Sequence, residues 1–327
     1  MNPIKLGIIG CGIAARDLHW PALQNLTDQF EITAVCNHTE PKAREFAQMV
    51  GDVPYVLDYH ELLRRSDVEA VDIVLPIHLN YQATKDALQA GKHVIVEKPL
   101  AANLSEAAEM VEFEAKYPQV MMVAENFRYH AVFDRVRYHL AQGKIGKPYA
   151  VFWNIFFLVD SKNKYIRTQW RIDHQYPGGF ILDGGIHNIA LLRHLFGDIV
   201  SGIAFTKSVN PNIGEIDSMS FQFETADGEH GVLNIFLSAR GFSENRFLVL
   251  GDEGSILVEG NKILIKKEDE IELEETVETD GGYQAEFEDF YQAIRTGKNV
   301  VSSFAEAYRD LEVLINALES AKTWPHI

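Results

Sequence analysis

Cysteine is nearly absent. The 327-residue chain holds two, Cys11 and Cys36, too few for a disulfide framework. Each ends an apolar, strand-like run and reads as a buried free thiol rather than a ligand or nucleophile. Long apolar runs are missing too: none approaches the ~18 residues that a membrane span needs. Positive charge is in deficit. With 30 Lys and Arg against 47 Asp and Glu, the formal net charge is -17, which disfavours nucleic acid and anionic membranes as partners. No internal repeat or low-complexity linker interrupts the chain. His19, His60, His93, His139 and His326 show no ligand spacing, so no metal site is expected. The strand pattern starts at once and leaves no room for a signal peptide, which predicts a cytoplasmic protein.

What is present begins with Lys5 to Ala15. The β-branched run Leu6 to Ile9 suits a buried central strand. Gly10, Gly12 and Ala15 follow on the G-x-G-x-x-G/A spacing. Gly10 permits a tight turn, Gly12 lets backbone approach a pyrophosphate, and Ala15 allows close helix–strand packing. The following helix offers N–H groups and a positive dipole end to phosphates. The alternative is a sharp strand–helix turn with no ligand.

Strand and helix alternate over the first ~120 residues, the rhythm of a doubly wound parallel sheet with right-handed crossovers. The expected strands are Leu6–Ile9, Glu31–Cys36, Pro54–Val56, Ala70–Leu75, His93–Val96 and Val120–Val123. Ligands in such sheets sit at the carboxyl ends of the strands. Gly10, Asn37, Pro76, Lys98 and Asn126 all follow strand ends. Beyond ~125 the texture changes to a helix, a strand over Ala150–Leu158, a loop and helix within Gln169–Gly197, and then six strands with hairpin signals between Ser201 and Lys266. This predicts an α+β domain with a large, mostly antiparallel open sheet, and so an α/β protein of two domains, 1–124 and 125–327. An open face of that size predicts a homodimer or homotetramer. The acidic run Glu268–Glu275 reads as a solvated hairpin.

On these residues the chain resembles the glucose–fructose oxidoreductase, inositol dehydrogenase and MocA family. The resemblance rests on the glycine turn at Gly10, on Glu97-Lys98-Pro99, on Asn126 to Tyr129, on Trp170-Arg171, and above all on Gly178 to His187. It implies an N-terminal Rossmann domain, a bound NADP or NAD, and hydride transfer at a hydroxyl or carbonyl carbon of a small sugar, inositol or related polyhydroxy compound. The family pattern also implies a cis bond before Pro99. Such chemistry needs a base for the hydroxyl proton, and histidine titrates near neutral pH. His187 is that candidate. Asp183, one helical turn earlier, would orient it or hold a second substrate hydroxyl. Lys98 would place a cation on the reacting oxygen. The family assigns catalytic roles to the positions that Lys98, Asp183 and His187 match. The expected cofactor contacts are Gly10, Cys11, Gly12, Ile13, Ala14, Ala15, Asn37, His38, Thr39, Pro76, His78, Asn80, Glu97, Lys98, Asn126, Trp170 and Arg171. The expected substrate contacts are Arg128, Asn154, Trp170, Arg171, Asp183, His187 and Tyr283.

Three positions depart from the family. The second strand ends in Cys36-Asn37-His38-Thr39, with no acid to grip the ribose hydroxyls of NAD, so the cofactor leans to NADP. The fourth strand ends in Leu75 to Asn80, where only Pro76 matches Thr-Pro-Asn-x-x-His. Ala190 stands where relatives often carry Asp. Two other functions fit the same residues: a dinucleotide-sensing regulator without turnover, and a redox-assisted glycosidase or lyase with a tightly held cofactor.

Overall fold

The computed structural model describes all residues except Met1, Pro211, Asn212, Glu215, Asp269 and 324–327; His326 therefore lies outside the described residues. The chain forms two compact units, 1–128 with 282–311, and 129–281 with 312–327. The sequence predicted a single boundary after 124. The structure instead returns 282–311 to the first unit, because the aromatic residues of that segment belong to its core.

The first unit is a parallel sheet of β1 (Ile4–Ile9), β2 (Phe30–Cys36), β3 (Tyr55–Val56), β4 (Ala70–Ile73), β5 (His93–Glu97) and β6 (Met121–Ala124), in the order β3-β2-β1-β4-β5-β6. The order reverses direction beside β1, the point at which doubly wound sheets bind ligands. Every residue of β4 and β6 is buried, as helices on both faces require. A π-helical turn over Ala15–His19 runs into α1 (Trp20–Gln24), and α2 (Glu40–Met49), α3 (Tyr59–Leu63), α4 (Asn80–Gln89) and α5 (Leu104–Lys116) follow. Asn103 caps α5 through the Glu106 N–H at 2.9 Å.

The second unit contains α6 (Ala131–Ala141), β7 (Pro148–Phe156), the single turn α7 (Gln169–Ile172) and α8 (Gly179–Phe196). Then come β8 (Ile199–Lys207), β9 (Ser218–Thr225), β10 (His230–Phe236), β11 (Glu244–Gly251), β12 (Ser255–Glu259), β13 (Lys262–Lys267) and β14 (Glu270–Thr276). They form an eight-stranded sheet, β14-β13-β12-β11-β7-β10-β9-β8. Only β7 and β10 pair in parallel; the other pairs are antiparallel. All six later strands expected from the sequence are present. The acidic run adds an edge strand, β14, which pairs antiparallel with β13 from Lys262↔Thr276 to Lys267↔Glu270. The sheet has two unlike faces. Val151, Trp153, Leu233 and Ile235 are buried, and α8 presses on Ile235, so close that a Cβ on Gly185 would sit 3.2 Å from its Cδ1. The opposite face shows Phe152, Phe205 and Phe236 to solvent.

Two closing helices, α9 (Tyr283–Thr296) and α10 (Phe304–Thr323), complete the chain; the sequence reading did not foresee α9. In the first unit the rings of Phe287, Phe290 and Tyr291 lie 5.9, 6.4 and 5.9 Å from Phe30. The buried side chain of Arg128 donates two bonds, 2.8 and 2.7 Å, to the two oxygens of Asp310. No helix among the described residues is long and apolar enough to cross a membrane.

Candidate functional site

In the first unit the site begins at the glycine turn. Gly10 has φ +105°, and a Cβ there would stand 2.1 Å from the Val74 carbonyl oxygen, so no other residue fits. A Cβ on Gly12 would meet nothing within 4 Å, so its backbone faces open space, as a pyrophosphate contact requires. The Cys11 N–H donates to Asn37 Oδ1 at 3.2 Å, and Asn37 Nδ2 donates to the Thr39 carbonyl at 3.2 Å. Asn37 thus ties the glycine turn to the loop after β2, where His38 is exposed and Thr39 half-buried. Gly10 to Ala15 with Asn37, His38 and Thr39 fit a nicotinamide dinucleotide. Both cysteines are buried and unpaired, and burial pushes each thiol up to about 12, as inert core thiols should be.

Lys98 stands at the end of β5, half-buried, and the Lys98–Pro99 peptide is cis. Its backbone is held from several sides. The Lys98 N–H donates to Glu97 Oε2 at 3.0 Å. The fully buried Asn80 spends its amide on the carbonyls of Glu97 and Pro99, at 2.7 and 2.9 Å. Behind this lies a buried cluster that sequence reasoning missed. His19 Nε2 meets Glu97 Oε1 at 3.1 Å, and its Nδ1 meets Asp72 Oδ2 at 2.9 Å. Burial alone would depress the imidazole, but Asp72 and Glu97 outweigh it and hold the ring well above its ordinary value. Asp72 is pushed up by burial against the pull of His19. Glu286 on α9 is fully buried and pushed well up, by burial first, with His19 pulling the other way and Glu97, Glu125 and Asp72 adding to the rise. The signal that could have found the cluster is Asp72 itself, a charged residue inside the apolar run Ala70–Leu75.

In the second unit α8 carries Asp183 and His187 one turn apart, on one face as expected. Gly178, at φ +76°, starts the helix, and a Cβ there would lie 2.5 Å from Leu318 Cδ1. Asp183 is buried and accepts the Arg171 Nε–H at 2.7 Å. The Arg171 guanidinium also lies 3.9 Å from the Trp170 ring centroid and 5.0 Å from that of Tyr165. The α7 turn therefore delivers Trp170 and Arg171 to Asp183 as a unit. Tyr176 is buried in the same corner, its hydroxyl pushed up by burial and by Asp183.

The remaining candidates fall in several places. Pro76 and His78 are half-buried in the turn before α4, and Asn126 is buried just after β6. Arg128 is buried on Asp310. Asn154 lies on the exposed face of the large sheet and accepts from Asn234 at 2.9 Å. Tyr283 begins α9, its ring 6.4 Å from that of His19. No group of three or more His, Cys, Asp or Glu among the described residues is arranged to hold a metal ion.

Two family models match the chain. Residues 4–125 match the Oxidoreductase family, NAD-binding Rossmann fold, and residues 137–324 match the Oxidoreductase family, C-terminal alpha/beta domain. The chain belongs to the Gfo/Idh/MocA oxidoreductase family. A crystal structure of an oxidoreductase from Thermotoga maritima is 40% identical, with a TM-score of 0.93, 98% of this chain and 97% of that one being covered. The dehydrogenase FPY6 of Fusarium mangiferae is 30% identical over 97% of this chain and 96% of its own. The WlbA dehydrogenase from Chromobacterium violaceum, crystallised with NADH and UDP-GlcNAcA, shares the fold at a TM-score of 0.85 and 23% identity, covering 98% of this chain and 94% of its own.

Proposed function

We propose that this oxidoreductase transfers a hydride between NADP and a hydroxyl or carbonyl carbon of a sugar, inositol or related polyhydroxy compound, with Lys98, Asp183 and His187 as its acid–base groups. The observation that carries the reading is the pair Asp183 and His187, one turn apart on α8 with Arg171 seated on the carboxylate, in a chain of this family. The nicotinamide supplies the hydride acceptor or donor. The chain manages the proton. His187 takes it from the hydroxyl whose carbon is oxidised and returns it in the reverse direction. Lys98 donates a hydrogen bond to the reacting oxygen. Asp183, fixed by Arg171, orients the imidazole or holds a neighbouring hydroxyl, and Trp170 offers a flat apolar face to a sugar ring. WlbA, which binds a nucleotide sugar, supports the substrate class. Its NADH does not decide the cofactor here, because Asn37 leaves the loop after β2 without an acid; NADP follows from that neutral loop.

The test is a fluorescence titration with NADPH and NADH, followed by absorbance assays of glucose, myo-inositol, gluconate and their keto forms. Lys98→Met and His187→Ala should abolish turnover while NADPH still binds. Full activity in either variant overturns the assignment. The phenylalanine-bearing face of the large sheet is, in this reading, where a second copy docks to form a homodimer or homotetramer. Light scattering of wild type against Phe205→Asp checks it, and a monomeric wild type refutes it.

A further inference from the structure

We infer that His19 and Asp72 are positioning residues for Lys98: the buried series Asp72–His19–Glu97 holds one Glu97 oxygen so that the other fixes the Lys98 backbone. The inference rests on the reading of Lys98 as catalytic.

A histidine that merely fills a core needs one acceptor for its one N–H. His19 has two, Asp72 Oδ2 at 2.9 Å and Glu97 Oε1 at 3.1 Å. With Asp72 and Glu97 ionised, both oxygens accept, both ring nitrogens donate, and the ring is an imidazolium. Charge-assisted bonds of this kind are about twice as strong as neutral ones. Because both sit in the protein interior, the imidazolium ties β4 to β5. The second Glu97 oxygen is then directed at the Lys98 N–H, 3.0 Å away. Asn80 grips the same stretch at the carbonyls of residues 97 and 99. Thus the backbone on both sides of Lys98 is pinned, and the lysine leaves a fixed root.

The helix that presents His19 is built for the purpose. His19 ends the π-helical turn Ala15–His19, whose hydrogen bonds span one more residue than those of an α-helix. That local unwinding sets the ring on the interior side, with zero exposure. The groups facing it come from three directions: Asp72 from β4, Glu97 from β5, and Tyr283, Phe287 and Glu286 from α9. Phe287 meets the ring edge-on at 5.4 Å. Burial pushes Glu286 well up, which works against a third negative charge beside the two carboxylates that meet the ring.

The experiment compares wild type, His19→Gln, Asp72→Asn and Glu97→Gln, with Lys98→Met as reference. In wild type, nitrogen-15 histidine spectra near about pH 8 should show both His19 ring nitrogens protonated. A neutral ring overturns the inference without any variant. In the variants, the Lys98 amide should exchange with deuterium about tenfold faster or more, the factor expected from losing a charge-assisted hydrogen bond. Amides of β9 and β10 should be unaffected. NADPH affinity of His19→Gln and Asp72→Asn should stay within about threefold, and kcat on whichever of glucose, myo-inositol or gluconate is turned over should fall roughly 10- to 100-fold with KM little changed. A purely structural role would lower the melting point alone. Folded variants with wild-type Lys98 exchange and kcat refute the inference. If one variant fails to fold, the other two decide. Turnover retained by Lys98→Met sinks the reading of Lys98, and the amide exchange still reports on the series itself.

Discussion

Glu286→Gln is the sharpest probe of the buried cluster. Glu286 lies in the first turn of α9 with no exposure, and neither carboxyl oxygen meets a donor among the described residues. Burial, followed by the carboxylates of Glu97, Glu125 and Asp72, keeps it protonated in the folded protein against the pull of His19. Unfolded, it ionises above its ordinary value of 4.5. The native state then holds one more proton than the unfolded state, so the folded pKa is the raised one. Its stabilising effect is complete below that ordinary value and is lost as pH rises. Each pH unit in that window removes about 1.4 kcal/mol from the unfolding free energy. Glutamine has the same shape and does not titrate. Its amide also brings a donor into a corner where Asp72 Oδ1 has none. Urea unfolding of both proteins, followed by circular dichroism from about pH 5 to about pH 8 at constant ionic strength, isolates the effect. Carboxylates held low, such as Asp67 on Arg65 and Glu275 on Arg135, pull stability the other way, but they are common to both proteins and cancel. The variant should match wild type near the acid end and exceed it by about 1.4 kcal/mol more for each further pH unit. A difference that stays flat with pH would mean that Glu286 is ionised in the fold, and the account of the cluster would fail.

Gly10→Ala combines a left-handed backbone with a 2.1 Å overlap on the Val74 carbonyl; it should cost about 2–5 kcal/mol and abolish NADPH binding, read by thermal melting and fluorescence. Arg128→Leu leaves Asp310 buried without its two-pronged partner and should destabilise by about 3–5 kcal/mol in the same melting assay. Asn37→Asp keeps the acceptor for the Cys11 N–H but turns the Thr39 carbonyl toward a second acceptor. It should weaken NADPH roughly tenfold or more relative to NADH at a stability cost of about 1 kcal/mol.

Period and punctuation made much of this fold legible. Glycine spacing at Gly10, apolar runs ending at Asn37, Pro76 and Lys98, and hairpin turns at Ala226–Gly228 and Glu259–Asn261 each impose local backbone constraints, and local constraints survive in sequence. Asp183 and His187 were visible because a helix converts a spacing of four into a shared face. The buried cluster was not, because its members come from π-helix, strand and a distant helix, and no short spacing joins them. The sequence pattern marks Asn80 as a cofactor contact, yet both of its donor contacts end on backbone carbonyls; a polar side chain after a strand end looks the same in sequence whether it faces a ligand or its own main chain. Helix α9 is hard to read from sequence for a related reason. Its aromatic stripe satisfies a core laid down by Phe30, far back in the chain.

The return of 282–311 to the first unit has a consequence for synthesis. Residues Arg128 and Asp310 are 182 positions apart, and His19 waits longer still for its cover of Phe287. As the chain leaves the ribosome, the nucleotide-binding sheet emerges first yet stays unfinished until almost the last residues appear. Residues 129–281 of the second unit are synthesised in between. A nascent chain stalled anywhere in the large sheet therefore carries an open aromatic core, a natural handle for chaperones and for quality-control proteases.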